Sequence, residues 1–357
     1  MSLPKKTDAW IILSTKDSGD FSNMKLEKDR PLPPLGDHDC LVQIQAVSLN
    51  YRDLIIPKGL YPLPQNVPVV ACSDGAGRVL AVGPKVTQFQ KDDNVATVFI
   101  QAHQAGPVTE EYMQTTLGGS VDGTLTHYAV FPESGLVPAP SNLTPTETST
   151  LSCAPLTAWN ALYGLESKAL QPGQVVLTQG TGGVSLSAIQ FAKAAGATVI
   201  ATTSSADKAK RLKQLGADIV INYKEDPNWG ETAKRLSPGK AGVDFVIEVG
   251  GSGTIQQSLK AVKLEGTIAV IGFLGGAKSP DDPSPLAALS AGCIIRGILI
   301  GSRLQMNAMN RAIEANNIHP IVDPKTFSFE NALDAYEYQW QQKHFGKVVI
   351  QLPGAGA

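Results

Sequence analysis

The strongest constraint on the fold is an alternation of apolar strands with helices between residues 174 and 300. Strand-like segments such as QVVLTQ (174–179) and TVIATT (198–203) flank GVSLSAIQFAKAAG (183–196), whose apolar residues recur at helical spacing. Strands that are apolar along their length belong in a parallel sheet buried on both faces. Four further segments complete a set of six: DIVINY, DFVIEV, TIAVIGF and IIRGILI. The pattern predicts an α/β fold with a doubly wound, six-stranded parallel Rossmann domain.

The residues on either side of this alternation predict a second, β-rich domain. Before residue 140, short extended segments such as CLVQIQAVSL (40–49), DGAGRVLAVG (74–83) and GTLTHYAVF (123–131) are separated by Pro and Gly. After helices near 304–316 and 329–342, the strand KVVIQL (347–352) needs a partner, and the β-rich region is the obvious host. We therefore expect one domain from 1–151 with 303–357, and a dinucleotide-binding domain from 152–302.

A glycine-rich loop follows the first strand of the alternation and opens the first helix. In TQGTGGVS (178–185), Gly180 and Gly182 match two glycines of the G-x-G-x-x-G pattern, and Ser185 replaces the third. There, one glycine permits the tight turn, the next lets a pyrophosphate approach, and a small serine suffices for helix packing. We predict a phosphate cradle formed by Gly180, Thr181, Gly182, Gly183 and Val184; a loop without a ligand is the alternative.

The end of the second strand indicates which dinucleotide binds. NAD-binding domains place Asp or Glu there for the ribose hydroxyls, whereas this chain has Thr203, Ser204 and then Lys208. Hydroxyl groups and a lysine suit a 2′-phosphate, which a carboxylate would repel. Asp207 is nearby, but its place in the first helical turn is explained by capping. The sequence predicts NADPH.

Several motifs together resemble the medium-chain dehydrogenase/reductase superfamily over nearly the whole chain. They include SLNYRDLIIPKGLYPLP (48–64), SDGAGRVLAVG (73–83), LSCAPLTAWNAL (151–162) and HFGKVVI (344–350). The similarity is greatest to the zinc-independent quinone oxidoreductase and enoyl reductase branch, or to zinc-type-alcohol-dehydrogenase-like proteins within it. The resemblance implies that the β-rich region is a chaperonin-10 (GroES)-like catalytic domain and that hydride transfer takes place in the interdomain cleft.

The zinc ligands of this superfamily are not retained. The resemblance aligns Asn50, Ser73 and Cys153 with the three catalytic ligand positions, and the region of the structural zinc lobe (101–119) has no cysteine. One thiol cannot form a site that needs three protein ligands, so we expect no metal. The four scattered cysteines are expected to be small buried residues, although Cys153 could be a reactive thiol.

Two residues are candidates for catalysis. Tyr61 matches a tyrosine that related enoyl reductases place as proton donor; packing in a Gly-Pro turn is the alternative. Asn50 resembles the asparagine that replaces the metal ligand beside nicotinamide or substrate, and its amide could donate or accept; an Asx-type turn is the alternative. Asp53 could orient this loop through Arg52 or form a surface ion pair.

Further residues are expected to contact the cofactor. The resemblance implies Thr157 in the domain-joining helix and Tyr223 near the 2′-phosphate. Strand ends that face the ligand crevice add Gly250, near the ribose, and Gly272, Phe273 and Leu274 of VIGFLGG (270–276), near nicotinamide. Lys347 could reach the cofactor, with solvent exposure as the alternative.

These observations predict an NADPH-dependent, zinc-independent reductase of quinones or of the C=C bond of α,β-unsaturated carbonyls, because such substrates accept hydride without a Lewis acid. A carbonyl or alcohol dehydrogenase and a catalytically idle NADPH-binding protein are the alternatives. The net charge of −2 gives no reason to expect nucleic acid or membrane partners. With no apparent signal peptide or apolar span, we expect a cytoplasmic protein that acts on a small molecule, and by family analogy a homodimer.

Overall fold

The computed structural model describes residues 3–274 and 282–353. The chain forms two compact units. We call Met1–Leu156 with Gly301–Ala357 the β-rich unit, and Thr157–Ile300 the parallel-sheet unit. Gly275 and Gly276, which end the predicted segment VIGFLGG, lie outside the described residues. Among the residues that are described, no helix combines the length and apolar character needed to cross a membrane.

The strands, in chain order, are β1 (Lys6–Ile12), β2 (Met24–Pro31), β3 (Asp39–Ser48), β4 (Val69–Val70), β5 (Asp74–Val82), β6 (Asn94–Thr97), β7 (Tyr128–Pro132), β8 (Leu136–Pro138), β9 (Val175–Gln179), β10 (Thr198–Thr203), β11 (Ile219–Asn222), β12 (Val243–Glu248), β13 (Val262–Val270), β14 (Ile294–Gly297), β15 (Phe327–Ser328) and β16 (Val349–Gln351).

The α-helices, in chain order, are α1 (Tyr51–Ile55), α2 (Glu110–Met113), α3 (Pro145–Thr148), α4 (Ala154–Tyr163), α5 (Gly183–Ala194), α6 (Ala206–Gln214), α7 (Trp229–Leu236), α8 (Ile255–Ala261), α9 (Leu286–Ala291), α10 (Arg303–Ala315) and α11 (Ala332–Trp340).

The β-rich unit is built on a sheet with strand order β15-β16-β3-β5-β6-β8, and β7 also pairs with β3. A smaller sheet has the order β2-β1-β4. The C-terminal strand β16 pairs antiparallel with β3, with Val349 opposite Ser48, which confirms that the β-rich unit hosts this strand. The pairing brings the residues just before β16 next to the residues just after β3.

The parallel-sheet unit contains the predicted doubly wound sheet, in the order β11-β10-β9-β12-β13-β14, with every neighbouring pair parallel. β9, β10 and β12 are rich in Val and Ile and almost wholly buried, as expected for central strands covered on both faces. The strand order reverses between β9 and β12, and ligands of such sheets bind beyond the strand ends at this switch point.

Local signals fix the helix that follows β10. Ser205 caps α6 by accepting a hydrogen bond from Lys208 N, and Asp207 lies in the first turn, where a carboxylate stabilises the helix dipole. The helix ends before Gly216, whose φ of 102° suits a glycine. Asp207 therefore lies in the first helical turn, as the sequence predicted.

Two expectations about strands are wrong. β14 and β11 are edge strands and only partly buried, because each has one neighbour in the sheet; the pattern of apolar residues does not distinguish edge from centre. The predicted strand 123–131 is regular only over Tyr128–Pro132. Its first residues instead bond irregularly to the 70–72 backbone: Gly123 N donates to Val70 O at 2.9 Å and Leu125 N donates to Ala71 O at 3.0 Å.

Candidate functional site

The glycine loop between β9 and α5 leaves open space beside its backbone. Gly180 has φ 71°, and Gly182 is the N-cap residue of α5, with no side-chain capping bond. A Cβ added at either glycine would meet no atom within 4 Å. Ser185 Oγ donates to Gln179 O at 2.6 Å, which ties the helix to the strand end. An uncapped helix N-terminus with open space in front of it fits the phosphates of a dinucleotide.

The ends of β10 and β11 bring together the residues predicted for the 2′-phosphate. Thr203 lies opposite Asn222 in the parallel register, and Tyr223 N donates to Thr203 O at 3.0 Å. Lys208 lies in the first turn of α6 and is partly buried. The Asp207 side chain is 93% exposed and lies 3.8 Å from Lys210. The acidic side chain therefore points to solvent and leaves this strand end without a buried carboxylate.

Two polar residues that sequence reasoning missed organise the end of β12. The fully buried Glu248 accepts hydrogen bonds from Gly250 N at 2.9 Å and Gly251 N at 3.0 Å. Gln179 Nε2 donates to Glu248 at 2.7 Å, and Gln179 Oε1 accepts from Gly250 N at 3.2 Å. Together they fix the backbone at Gly250. An acidic residue at the end of an apolar strand was the signal that could have identified Glu248.

The segment after β13 runs beside this loop. Ile271 N donates to Glu248 O at 2.9 Å, and Leu274 N donates to Val249 O at 3.2 Å. Gly272 and Phe273 are half-buried and the Leu274 side chain is exposed. The predicted residues after β12 and β13 are thus neighbours. Thr157 is buried in α4, and its contact with a cofactor stays a prediction.

In the β-rich unit, Lys347 lies in a buried polar cluster rather than in solvent. Its ammonium donates to Leu49 O at 2.7 Å, to Asn50 Oδ1 at 2.6 Å and to Asp74 Oδ2 at 3.2 Å. Lys347 is 5% exposed, Asn50 8% and Asp74 0%. The alternative of a solvent-exposed lysine is wrong. Because an ammonium has three hydrogens and all are used here, the geometry does not favour the predicted cofactor contact of Lys347.

Two buried carboxylates carry the electrostatics of this cluster. Burial raises the pKa of Asp74, and the Lys347 ammonium opposes this increase. Burial also raises the pKa of Asp53 to about 6 against the attraction of Arg52. Asp53 Oδ2 accepts from Asn50 N at 2.8 Å at the start of α1. Asp53 is 1% exposed, so the surface ion pair considered for it is wrong.

Arg52 connects Tyr61 to the helix that Asn50 precedes. Its guanidinium lies 5.5 Å from the Tyr61 ring centroid and 4.8 Å from that of Phe99. Arg52 Nη1 also donates to Leu117 O at 2.9 Å. Tyr61 is half-buried and packs against the core of the β-rich unit. The packing role is therefore present, and the role as proton donor stays a prediction.

The side chains at the other two aligned ligand positions are neutral. Ser73 Oγ donates to Asp74 Oδ1 at 3.5 Å. Desolvation raises the pKa of the partly exposed Cys153 thiol, which argues against a reactive thiolate. Over 3–274 and 282–353, no group of three or more His, Cys, Asp and Glu side chains has an arrangement that could hold a metal ion.

Comparisons with known proteins agree with this architecture. The alcohol dehydrogenase GroES-like domain family matches residues 36–141, and the zinc-binding dehydrogenase family matches residues 183–315. A zinc-type alcohol dehydrogenase-like protein of Schizosaccharomyces pombe is 44% identical over 93% of this chain and 96% of its own length. The 2-methylene-furan-3-one reductase of Solanum lycopersicum is 29% identical over 98% of this chain and 80% of its own length.

Two solved structures give the same picture. A provisionally assigned alcohol dehydrogenase from Sinorhizobium meliloti 1021 has a TM-score of 0.88 and 37% identity, covering 98% of this chain and 100% of that chain. An NAD-dependent alcohol dehydrogenase has a TM-score of 0.84 and 30% identity, covering 96% and 99%. The chain therefore belongs to the medium-chain dehydrogenase/reductase superfamily of oxidoreductases, with a GroES-like domain and a Rossmann domain, as its motifs predicted.

Proposed function

We propose that the protein is an NADPH-dependent, zinc-independent reductase of quinones or of the C=C bond of α,β-unsaturated carbonyls. The observation that carries the proposal is the bond between Lys347 Nζ and Asn50 Oδ1 at 2.6 Å. Asn50 stands at the first of the three aligned zinc-ligand positions, and its side-chain oxygen accepts a hydrogen bond from the Lys347 ammonium instead of facing a metal site. Ser73 offers a neutral hydroxyl at the second position, and zinc sites need three protein ligands.

Nicotinamide, when bound, would supply the hydride. The residues of the protein would bind the dinucleotide, orient the substrate and donate hydrogen bonds and a proton to it. The backbone at Gly180 and Gly182 would hold the phosphates, and the β12 end fixed by Glu248 would hold the ribose. Asn50 would donate a hydrogen bond to the substrate oxygen as charge develops there. Tyr61, or a water molecule, would deliver the proton to the α-carbon of an enone or to an oxygen of a quinone.

The relatives support two reactions. The tomato relative is named as a reductase of a conjugated methylene ketone, which favours addition to C=C. The relatives named as alcohol dehydrogenases favour carbonyl reduction as the second candidate. Without a Lewis acid, oxidation of a simple alcohol lacks the polarisation that a metal supplies, so we place C=C and quinone reduction first.

Product identification tests the reaction. The chelator-treated protein is incubated with NADPH and an α,β-unsaturated ketone, and the product is identified by mass spectrometry and NMR. We expect the saturated ketone at a rate that added Zn²⁺ does not change. An allylic alcohol would make carbonyl reduction the activity, and loss of turnover on chelation would refute zinc independence.

We further propose NADPH as the dinucleotide. The hydroxyl groups of Thr203 and Ser204, together with Lys208 in the first turn of α6 and Tyr223 beside the strand end, suit a 2′-phosphate. The solvent-directed Asp207 would not repel it. Because one similar structure is that of an NAD-dependent enzyme, the test must compare both dinucleotides.

Fluorescence titrations with NADPH and NADH measure this preference. We expect NADPH to bind at least tenfold more tightly, and Lys208→Ala to remove about tenfold of NADPH affinity without affecting NADH, because a charge-assisted hydrogen bond contributes about 1.5 kcal/mol. Lys210→Ala is the matched control, since its exposed ammonium lies 3.8 Å from the exposed Asp207 carboxylate on the same helix. Equal affinities for the two dinucleotides would show the assignment to be wrong.

We also propose that the protein is a homodimer formed through the edge of the parallel sheet. Among the residues that the structure describes, β14 pairs with β13 alone, and the backbone groups along the other edge of such a strand can pair with a further strand. Leu286 and Leu289 on the preceding helix, with Ile295 and Leu299 on and after the strand, are all 40% or more exposed. We call these four side chains the β14 patch. A second copy of the chain would cover them.

A further inference from the structure

The contact between Lys347 and Asn50 fixes which way the asparagine amide faces. Oxygen and nitrogen of an amide are interchangeable in shape, so the hydrogen-bond partners decide the assignment. An ammonium only donates, and therefore the atom 2.6 Å from Lys347 Nζ must be Oδ1. The sequence left open whether Asn50 donates or accepts toward a ligand. The structure favours donation, because Oδ1 faces the Lys347 ammonium and Nδ2 is the end of the amide with no hydrogen-bond partner among the described residues.

The donor end of the same amide, Nδ2, is itself buried. Asn50 is 8% exposed, and its Nδ2 makes no hydrogen bond within the described parts of the chain. The amide does help to keep the pKa of the nearby Asp74 down. Since Nδ2 carries two hydrogens, attraction of one toward that carboxylate leaves the other for a ligand. A buried N–H without an acceptor lowers the stability of the folded protein, and a ligand oxygen that accepts from it would remove this penalty.

Lys347 is itself held firmly in place. Its backbone N donates to Ile321 O at 2.9 Å and its carbonyl oxygen accepts from Asp323 N at 2.8 Å, while Leu49 N donates to the carbonyl oxygen of the next residue, Val348. Its two other ammonium contacts, to Leu49 O and Asp74 Oδ2, leave no hydrogen with which it could turn elsewhere. Asp74 is in turn bound by Ser48 Oγ at 2.9 Å. The position of the Lys347 ammonium is therefore fixed, and it holds Asn50 Oδ1 in one orientation.

We propose that Lys347 is a positioning residue that locks Asn50 as a hydrogen-bond donor and so selects substrates that present an acceptor oxygen. A ketone, aldehyde or quinone oxygen fits this donor. The proposal rests on the proposed function, because it concerns how the same site recognises its substrate. It replaces the predicted contact between Lys347 and the cofactor by a contact with Asn50.

A double-mutant cycle tests the proposal with the full-length protein, NADPH and a quinone or α,β-unsaturated ketone. Lys347→Met is combined with Asp74→Asn so that no uncompensated carboxylate stays buried. We expect kcat to fall on the order of tenfold or more, with the Kd of NADPH changed less than twofold. Introduced into an Asn50→Ala background, the same pair should lower kcat by less than twofold further, because the amide that Lys347 orients is gone.

Asn50→Asp is the second variant and keeps the size of the side chain and the oxygen that faces Lys347, so it tests the donor even if the first pair fails to fold. It should lower kcat on the order of a hundredfold, as removal of one donor from an oxyanion site does. Lys347→Arg should keep part of the activity that Lys347→Met loses, because a guanidinium, like an ammonium, can only donate hydrogen bonds to Asn50 Oδ1.

The outcomes separate the two proposals. Wild-type protein without turnover of any carbonyl acceptor or quinone refutes the proposed function and the inference with it. Normal wild-type turnover with full additivity in the cycle, or an unchanged kcat in Asn50→Asp, overturns the inference alone. A weaker NADPH affinity after loss of Lys347, with the cycle additive, would instead assign the lysine to the cofactor.

Discussion

At the level of single residues, the β-rich unit keeps several charges out of water, and this has an energetic cost. Asp74 is fully buried with Lys347 as its partner. A buried ion pair contributes little net stability, but removing one partner costs about 3–5 kcal/mol because the other charge is left uncompensated. Net stability alone therefore does not explain why this ion pair is buried. Because Lys347 also donates to Asn50, we infer that the buried charges position the candidate site.

Asp53 gives the first prediction, which concerns pH. Its pKa of about 6 in the folded chain lies above the ordinary value of 3.8, so the folded state holds this proton more tightly. Its contribution to stability is complete below about pH 4 and is lost as the pH rises to about 6. We expect Asp53→Asn to be more stable relative to wild type as pH rises through this window, by up to about 3 kcal/mol.

Urea denaturation at several pH values from 4 to 7.5 measures this difference. The stability difference between Asp53→Asn and wild type should level off above pH 6.5. A difference that does not vary with pH would mean that the Asp53 carboxyl titrates in the folded chain as it does in the unfolded one.

Tyr61 gives the second prediction. If its hydroxyl delivers the proton, Tyr61→Phe should lower kcat by about 10²–10⁴-fold with little change in KM, because the ring still packs against Arg52 and the core. Steady-state kinetics with a quinone and with an enone provide the measurement. Tyr128→Phe, a half-buried tyrosine on β7, is the control. An unchanged kcat would leave Tyr61 with its packing role only.

The residue contacts were the part that the sequence did not predict. Lys347 was assigned to the cofactor or to solvent, whereas its partners Leu49 and Asp74 lie 298 and 273 positions earlier in the chain. The pairing of β16 and of β5 with the same strand, β3, brings them together, and a sequence pattern does not encode those registers. By contrast, Asn50 was singled out because its local motif resembles that of the superfamily.

At the level of elements, local signals were reliable where the structure is local. The strand β9, the glycine loop and the helix α5 were predicted together, because the apolar run, the glycines and the helical spacing are adjacent in the sequence. The partial exposure of β14 was missed, since being at an edge depends on the order of strands in the sheet. The fixation of Gly250 by Gln179 and Glu248 also depends on neighbouring strands.

The glycine loop gives the third prediction. Gly182 has an ordinary φ of −78° and open space at its Cβ position, so Gly182→Ala should lower the free energy of unfolding by less than about 1 kcal/mol. A methyl group in the space that a pyrophosphate needs should nevertheless weaken NADPH binding at least tenfold. Calorimetric melting and isothermal titration measure the two quantities.

A matched pair separates backbone strain from loss of the cradle. Gly180 and Gly239 have φ of 71° and 64°, and neither has an atom within 4 Å of an added Cβ. Alanine at either position should cost a similar 1–2 kcal/mol of stability, but only Gly180→Ala should weaken NADPH binding. Equal NADPH affinities in the two variants would contradict a cradle at this loop.

At the level of the whole molecule, the β-rich unit is formed by two separate stretches of the chain, one before and one after the parallel-sheet unit. The sequence indicated this return of the chain through one orphan strand, KVVIQL, which β16 and its pairing with β3 confirm. The return also delivers Lys347 to Asn50, so the final residues of the chain complete a site begun near residue 50. A truncation before Lys347 would therefore remove part of the candidate site.

The last prediction concerns assembly through the β14 patch. We expect the wild-type protein to be a dimer by size-exclusion chromatography with light scattering. Ile295→Lys should give a monomer, because a lysine on an edge strand opposes pairing with a second strand. Leu236→Lys is the matched control, since Leu236 is 41% exposed and Ile295 is 40% exposed in the same unit. NADPH affinity of the monomer should be unchanged, because the glycine loop follows β9 and not β14. A monomeric wild-type protein would refute the dimer, and a dimer that survives Ile295→Lys would place the interface elsewhere.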